Sequence, residues 1–107
     1  FPMHYIQKNK VKQAYHQTVK EWVQTLPKYK TIQPHYKLFF NNKRKKDLDN
    51  YTFPMHKFLM DALVENNRIE DDDYQYVTQI TTEFGGLDTD NYVVVEIKGE
   101  ELEPEQE

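Results

Sequence analysis

Two aspartates separated by one residue, Asp47 and Asp49, form the most informative chemical pattern in the chain. On an extended backbone, alternate side chains point to the same side, with a rise of about 3.3 Å per residue. Two carboxylates about 7 Å apart at their Cα atoms can therefore converge on one hard cation. Mg²⁺ prefers oxygen ligands, keeps several waters and shares the phosphate oxygens of a substrate. The pair thus predicts a magnesium site that faces phosphate.

A second group of carboxylates lies in the run Glu70–Asp73, which we expect to form a loop. Any of Asp71, Asp72 and Asp73 can add a third carboxylate to the first pair. Like charges brought together repel each other unless a cation or protons offset them. The arrangement therefore favours a bound metal.

Positive charges accompany these acidic groups. Lys57 and Asp61 are four residues apart on a predicted helix, and hence on one face. If that face meets the carboxylates, Lys57 can contact a scissile phosphate, orient the attacking water or stabilise charge in the transition state. The four consecutive basic residues before Asp47 can bind neighbouring backbone phosphates. They are Lys43, Arg44, Lys45 and Lys46.

Each of these patterns also has a plain structural explanation. The stretch Asp47–Asn50 is typical of a strand end followed by a turn or a helix cap. The acidic run is typical of a solvated loop, and the basic run of an exposed turn. Lys57 and Asp61 match a surface ion pair worth under about 1 kcal/mol. Only the order and spacing of the patterns together favour the functional interpretation.

Other kinds of site are excluded or weak. The chain has no cysteine and no serine, which excludes a disulfide framework, a cysteine zinc site and a serine nucleophile. A calcium-binding EF-hand loop starting at Asp47 would need glycine and glutamate where Thr52 and Phe58 stand. The four histidines lack zinc-ligand spacing. His56, beside Lys57, is a weak candidate for contact with phosphate.

Two helices and three strands must position these residues. Apolar residues recur at intervals of three and four over Lys10–Leu26 and predict the first helix, which Pro27 ends. His35–Asn41 predicts a strand, and its poor alternation favours cover on both faces. Thr52 predicts the start of the second helix, and Asn66 its end.

The remaining segments complete a single domain. The strand Tyr74–Phe84, the turn Gly85–Asn91 and the strand Tyr92–Ile97 predict a C-terminal antiparallel hairpin. Phe1–Asn9 is expected to be a short lead-in. The predicted fold class is α/β (α+β): a small mixed sheet with two packed helices and that hairpin. Residues 1–98 form the domain, and residues 99–107 an acidic, disordered tail.

The charges are strongly asymmetric along the 107 residues, although the formal net charge is only -4. Residues 1–46 carry a net charge of +10 and residues 47–107 a net charge of -14. This asymmetry favours an interaction with nucleic acid through the basic half. No apolar run approaches the roughly 20 residues that a membrane span needs, and no signal peptide is visible. We therefore expect a cytoplasmic protein that neither binds a membrane nor uses a small-molecule cofactor.

The motifs together resemble a known family. Lys45-Lys46-Asp47-Leu48-Asp49-Asn50, then Lys57 with Asp61-Ala62-Leu63, then Ile69-Glu70-Asp71-Asp72 are similar to the RusA-type Holliday-junction resolvases of bacteria and their phages. The similarity covers about residues 35–97, and the first helix more loosely. Two features depart from the family pattern. The spacer between Asp49 and Lys57 is longer by about one helical turn, and Phe1–Asn9 is too short to supply all of the usual first strand.

The resemblance implies a specific activity. It implies a small homodimeric crossover junction endodeoxyribonuclease that binds four-way DNA junctions and makes paired nicks with Mg²⁺. Carried over by position, the metal-binding and catalytic aspartates are Asp47, Asp49 and Asp72, with Asp71 as an assisting neighbour. Lys57 matches the family's essential lysine. The location expected is the cytoplasm of a bacterial or phage-infected host cell.

Two alternatives remain open. The chain can be a branched-DNA-binding module of the same fold without catalysis, which predicts salt-dependent binding and no nicking. It can also be a protein-interaction domain with an acidic face, which predicts no affinity for DNA.

Overall fold

The structure is a computed structural model that describes the backbone of residues 3–8 and 12–103 and the side chains of residues 16–103. Six elements follow one another along the described chain. They are β1 (Met3–Lys8), α1 (Lys12–Gln24), β2 (Tyr29–Phe40), α2 (Leu48–Glu65), β3 (Thr81–Leu87) and β4 (Tyr92–Glu101).

The strands form one mixed sheet in the order β1-β4-β2-β3. β4 is antiparallel to both β1 and β2, whereas β3 is parallel to β2. The predicted class, an α+β fold with a mixed sheet and two helices, is confirmed. The N-terminal segment differs from the prediction, because residues 3–8 form a strand that pairs with residues 92–97 instead of a lead-in.

The last two strands do not form the expected hairpin with each other. β2 lies between them, so β3 and β4 contact opposite edges of the same central strand. The connecting loop passes over the end of β2, where the Asp88 amide donates to the Phe40 carbonyl (2.9 Å) and the Asn41 amide to Asn91 Oδ1 (2.8 Å). Turn residues between two β-rich segments show that the chain reverses, but not whether a third strand enters the gap.

Strand boundaries also shift from the sequence-based expectation. β2 begins at Tyr29, six residues earlier than predicted, and β3 begins only at Thr81 and continues through the two glycines to Leu87. Tyr74–Tyr76 form a turn, and Val77 makes a single parallel bridge to Ile32. β4 continues to Glu101, so residues 99–101 belong to the sheet, while residues 104–107 lie outside the described residues.

Both helices pack on one face of the sheet. Alternate residues of β2 are buried on that face, including Ile32, Tyr36 and Leu38. Val23 of α1 and Leu63 of α2 are fully buried against them. The other face of β2 is only half-buried, which differs from the predicted cover on both faces. Within the described residues, no helix has the length and apolar character that a membrane crossing requires.

The N-terminus of α2 is the part of the fold that matters most for the site. The helix begins at Leu48, one turn before the predicted cap at Thr52. Thr52 is instead buried, and its hydroxyl contacts the Leu48 carbonyl (3.0 Å) and Thr82 Oγ1 of β3 (2.9 Å). Pro54 lies inside the helix and lacks the N–H that would bond one turn back. Contacts with β3 therefore hold the first turns of α2 in place.

Candidate active site

Asp47 and Asp49 lie at the start of α2, and both are exposed. Asp47 is the N-cap residue, with extended backbone angles (φ -87°, ψ 117°), whereas Asp49 lies in the first helical turn. The predicted extended geometry therefore holds for Asp47 alone. The helix dipole stabilises negative charge at this position.

The Asp47 carboxylate is not used to hold the helix end. It makes no capping hydrogen bond, although N-cap aspartates commonly accept one from the following amides. Its backbone carbonyl accepts a bond from the Asn50 amide at 3.2 Å. The side-chain oxygens thus stay available to a ligand.

In the acidic loop, Asp71 and Asp73 accept hydrogen bonds from nearby backbone amides, whereas Asp72, among residues 16–103, does not. Asp71 Oδ1 accepts a bond from the Asp72 amide, and Asp73 Oδ1 one from the Gln75 amide, both at 2.8 Å. The Asp73 carbonyl also accepts bonds from two amides of the next turn. Glu70 lies near the Tyr76 hydroxyl and raises the pKa of that phenol. Asp72 is exposed, and within the described residues its carboxylate makes no such bond.

Asp72 lies within electrostatic range of His56 on α2. Burial lowers the pKa of His56, and the negative charge of Asp72 opposes that shift. On its other side, His56 Nδ1 lies 2.7 Å from the Tyr36 hydroxyl, and the two rings meet edge to face at 5.6 Å. His56 therefore lies between the core strand β2 and the acidic loop.

Lys57 points away from this inner face of α2. Its Nζ lies 3.6 Å from Asp61 Oδ1, and the two side chains are 76% and 50% exposed. Successive helical residues are about 100° apart around the axis, so His56 can face inward while Lys57 faces solvent. In the structure Lys57 forms a surface ion pair, as its plain structural explanation predicts. Its high exposure also leaves it accessible to DNA.

The basic turn before Asp47 has two parts. Lys43, Arg44 and Lys45 are exposed. Lys46 folds back, and its Nζ donates to Asn42 Oδ1 (2.7 Å) and to the Arg44 carbonyl (2.8 Å). The first three side chains are therefore open to solvent, whereas Lys46 stabilises the turn.

The carboxylates are not gathered into a complete metal site. Among residues 16–103, no three acidic or histidine side chains lie close enough together to hold a metal ion. Mg²⁺ is commonly held by one or two carboxylates together with several waters and substrate phosphate, and the exposed carboxylates of Asp47 and Asp49 are ligands of that kind. Asp72, the third predicted ligand, lies on the His56 side of α2.

Sequence reasoning gave little weight to His56 and none to Tyr36. One pattern could have drawn attention to His56, which follows Asp49 by seven residues, about two helical turns. The two residues therefore lie on nearly the same face of α2. No sequence pattern indicates the contact between His56 and Tyr36, because this contact depends on how α2 packs on the sheet.

Comparison with known proteins adds an independent finding to this geometry. No curated protein matches the chain. The family described as Endodeoxyribonuclease RusA matches residues 2–98, which include all six structural elements apart from the end of β4. The match thus covers the basic turn, the aspartate pair, α2 and the acidic loop together, and the chain belongs to the RusA family of endodeoxyribonucleases.

Proposed function

We propose that the protein is a Mg²⁺-dependent endonuclease that resolves four-way DNA junctions by paired phosphodiester hydrolysis. One observation carries the proposal beyond family membership. Two exposed carboxylates at the N-terminus of α2, Asp47 and Asp49, directly follow an exposed basic turn. A DNA strand bound along Lys43–Lys45 would pass these carboxylates with its phosphates facing them.

Asp47 and Asp49 would hold the metal ion, and Asp72, with Asp71 beside it, would complete the ligand set on substrate binding. When bound, Mg²⁺ supplies a Lewis acid for the phosphate and lowers the pKa of a coordinated water. The Asp47 carboxylate is suited to this role because it is not committed to capping the helix.

Lys57 would act on the phosphate from the exposed side of α2. Its ion pair with Asp61 is exposed to solvent and 3.6 Å long, so phosphate oxygens can replace Asp61 at little cost. The lysine then stabilises negative charge that develops on the phosphate in the transition state.

The assembly proposed is a homodimer. A four-way junction has two opposed strands to cut, and a two-fold dimer presents one site to each. The place of action follows from the substrate, namely DNA in the cytoplasm of a bacterial or phage-infected cell.

The decisive experiment is a cleavage assay on a labelled four-way junction, with a linear duplex of matched sequence, in Mg²⁺ and in EDTA. We expect symmetric nicks in the junction only, and only with Mg²⁺. Asp72→Asn should abolish cleavage while junction binding survives, whereas Asp61→Asn serves as the control for loss of an exposed carboxylate. Full cleavage by Asp72→Asn, or equal cleavage of the duplex, would refute the proposal.

A second candidate is a branched-DNA-binding module without catalysis. The absence of a gathered group of three carboxylates among residues 16–103 favours it, since a preformed nuclease site would hold its ligands together. Junction binding without nicks at any Mg²⁺ concentration, with the salt dependence typical of phosphate contacts, would support this alternative.

A further inference from the structure

Three aromatic rings and one ammonium group form a cluster where α2 begins. Phe40, at the end of β2, lies at its base. Tyr51 of α2 meets Phe40 edge to face at 5.1 Å, and Phe84 of β3 stacks on it at 6.2 Å and 12°. Lys46 Nζ lies 4.7 Å from the centre of the Phe40 ring. These four residues are called the ring cluster below.

The ring cluster combines a buried base with exposed rings. Phe40 is 5% exposed, whereas Tyr51 is 44% and Phe84 53% exposed. Large aromatic side chains usually bury most of their surface, and exposed apolar groups that lie together mark binding sites. Contact with Phe40 holds the two outer rings in place while their free faces remain open to a ligand.

The surroundings of the ring cluster indicate the chemistry of that ligand. The exposed basic residues Lys43–Lys45 lie just before Lys46 in the chain. Aromatic rings interleaved with positive charge are typical of surfaces that bind nucleic acid with its bases unpaired, because bases stack on the rings and phosphates bind the cations.

The ring cluster is also tied to the candidate active site. Lys46 directly precedes Asp47, and Tyr51 follows Asp49 by two residues. A base stacked on these rings would therefore have its own backbone beside the aspartate pair.

We propose that the ring cluster stacks a base whose face is uncovered at the branch point of branched DNA and so presents the adjoining phosphate to Asp47 and Asp49. This inference rests on the proposed function and adds that the enzyme recognises a base at the branch point of its substrate. In a continuous duplex each base is covered by its neighbours on both sides. A free base face exists at a branch point or in a single strand, so the ring cluster selects branched DNA over duplex.

A second copy of the chain is a poorer occupant of the same surface. A two-fold axis through the ring cluster would place the basic turn Lys43–Lys45 of one subunit close to that of the other. Their like charges would repel, whereas DNA phosphates neutralise them.

The test measures binding without cleavage, in EDTA, to a four-way junction that carries 2-aminopurine at the branch point. Stacking on a ring quenches the fluorescence of this base. We expect Phe84→Leu, which keeps an apolar side chain but removes the ring, to bind the junction roughly ten-fold more weakly and to lose the quenching. Phe84→Trp should retain both. Leu102→Ala, which alters another half-exposed apolar side chain, is the control and should resemble the wild type.

Binding to a continuous duplex separates stacking from general effects. The affinity of Phe84→Leu for duplex should equal that of the wild type, since the phosphate contacts are intact. Equal junction affinity and equal quenching in Phe84→Leu and wild type would overturn the proposal, as would equal weakening for junction and duplex. A fall in the sedimentation mass of Phe84→Leu would assign the cluster to a subunit contact and overturn it as well.

A parallel cleavage assay in Mg²⁺ distinguishes this inference from the proposed function. If the wild type cuts junctions and Phe84→Leu binds and cuts them equally well, base stacking fails and the nuclease stands. If the wild type quenches 2-aminopurine but never cuts, the nuclease fails and base stacking stands.

Discussion

The Tyr36 hydroxyl and His56 Nδ1 lie 2.7 Å apart, joining the central strand of the sheet to the inner face of α2. Tyr36 is completely buried, whereas His56 reaches toward the charge of Asp72. Together with the burial of Leu59 and Leu63 in the core, this contact fixes the rotation of α2 about its axis. It therefore sets which residues of the helix face the acidic loop and which, like Lys57, face solvent.

His56 should make the stability of the protein depend on pH. Burial lowers its pKa in the folded state below the ordinary value of 6.5, so between these two values the unfolded chain binds more protons. The contribution of His56 to the free energy of unfolding should therefore rise with pH through that window and be constant above it. Urea unfolding at a series of pH values should show a smaller rise in His56→Gln than in the wild type. The same rise in both proteins would contradict the assignment.

Removing the hydroxyl of Tyr36 should destabilise the fold. Tyr36→Phe removes the hydroxyl that lies 2.7 Å from Nδ1 of His56 in a half-buried position, which costs about 1–2 kcal/mol of unfolding free energy. Chemical denaturation measures this loss. Tyr51→Phe is the matched control, because the side chain of Tyr51 is exposed, and we expect it to change stability by under about 0.5 kcal/mol. Comparable losses in the two variants would show that the Tyr36–His56 bond has no special weight.

Mg²⁺ should stabilise the folded protein through the aspartate pair. A ligand that binds only the folded state raises the unfolding temperature as its concentration rises. We expect this rise in the wild type, and its loss in Asp47→Asn and Asp49→Asn. Without Mg²⁺, Asp47→Asn should unfold at nearly the wild-type temperature, because its carboxylate makes no capping bond. Asp61→Asn, an exposed carboxylate farther along α2, should keep the response to Mg²⁺.

Lys57 should matter for cleavage and hardly at all for stability. Its ion pair with Asp61 is exposed on both sides, so Lys57→Gln should cost under about 1 kcal/mol of unfolding free energy. Its rate of junction cleavage should fall by about a hundred-fold or more, since it removes charge stabilisation in the transition state. Asp61→Asn breaks the same ion pair but leaves the lysine, and it should cleave at close to the wild-type rate. A similar loss of cleavage in both variants would mean that the ion pair itself is required.

The basic turn should bind DNA through three of its four charges. Lys43→Gln and Lys45→Gln should each weaken binding to junction and duplex alike and reduce the slope of log affinity against log salt by about 1. Lys46→Gln should mainly lower stability, because its ammonium group donates bonds within the turn. Lys98→Gln, whose lysine pairs with Glu96 on β4, is the control and should leave the salt slope unchanged. Equal salt slopes in all four variants would exclude the turn as a phosphate-binding site.

Local patterns in the sequence predicted the two helices and located the acidic and basic motifs, whose roles stay predictions. Periodic apolar residues identified the first helix and capping residues the second, and Val23 and Leu63 of these helices are buried. Such patterns depend on neighbours within a few residues, and one face of a helix must be apolar wherever it packs. The sequence did not fix where α2 begins, because Asp47 and Thr52 are both good capping residues. Only the packed structure shows that Asp47 is the N-cap residue of the helix.

The arrangement of strands could not be obtained in the same way. Whether β3 pairs with β4 or with β2 depends on contacts between residues far apart in the chain, such as Tyr36 with Thr82 and with Val95. Turn residues indicate that the chain reverses its direction. They do not indicate whether another strand, here β2, lies between β3 and β4.

The sequence by itself determined which groups are candidates for chemistry here, namely the aspartates, the lysine that follows them on α2, and the basic turn. Only the tertiary structure decided their availability. It leaves the carboxylate of Asp47 without a capping bond, folds Lys46 back into the turn and brings Phe84 and Tyr51 against the same ring, that of Phe40. It also directs His56 inward. The physical reason is that a residue's type fixes the interactions it can make, whereas packing of distant segments fixes which of those interactions are already made within the fold.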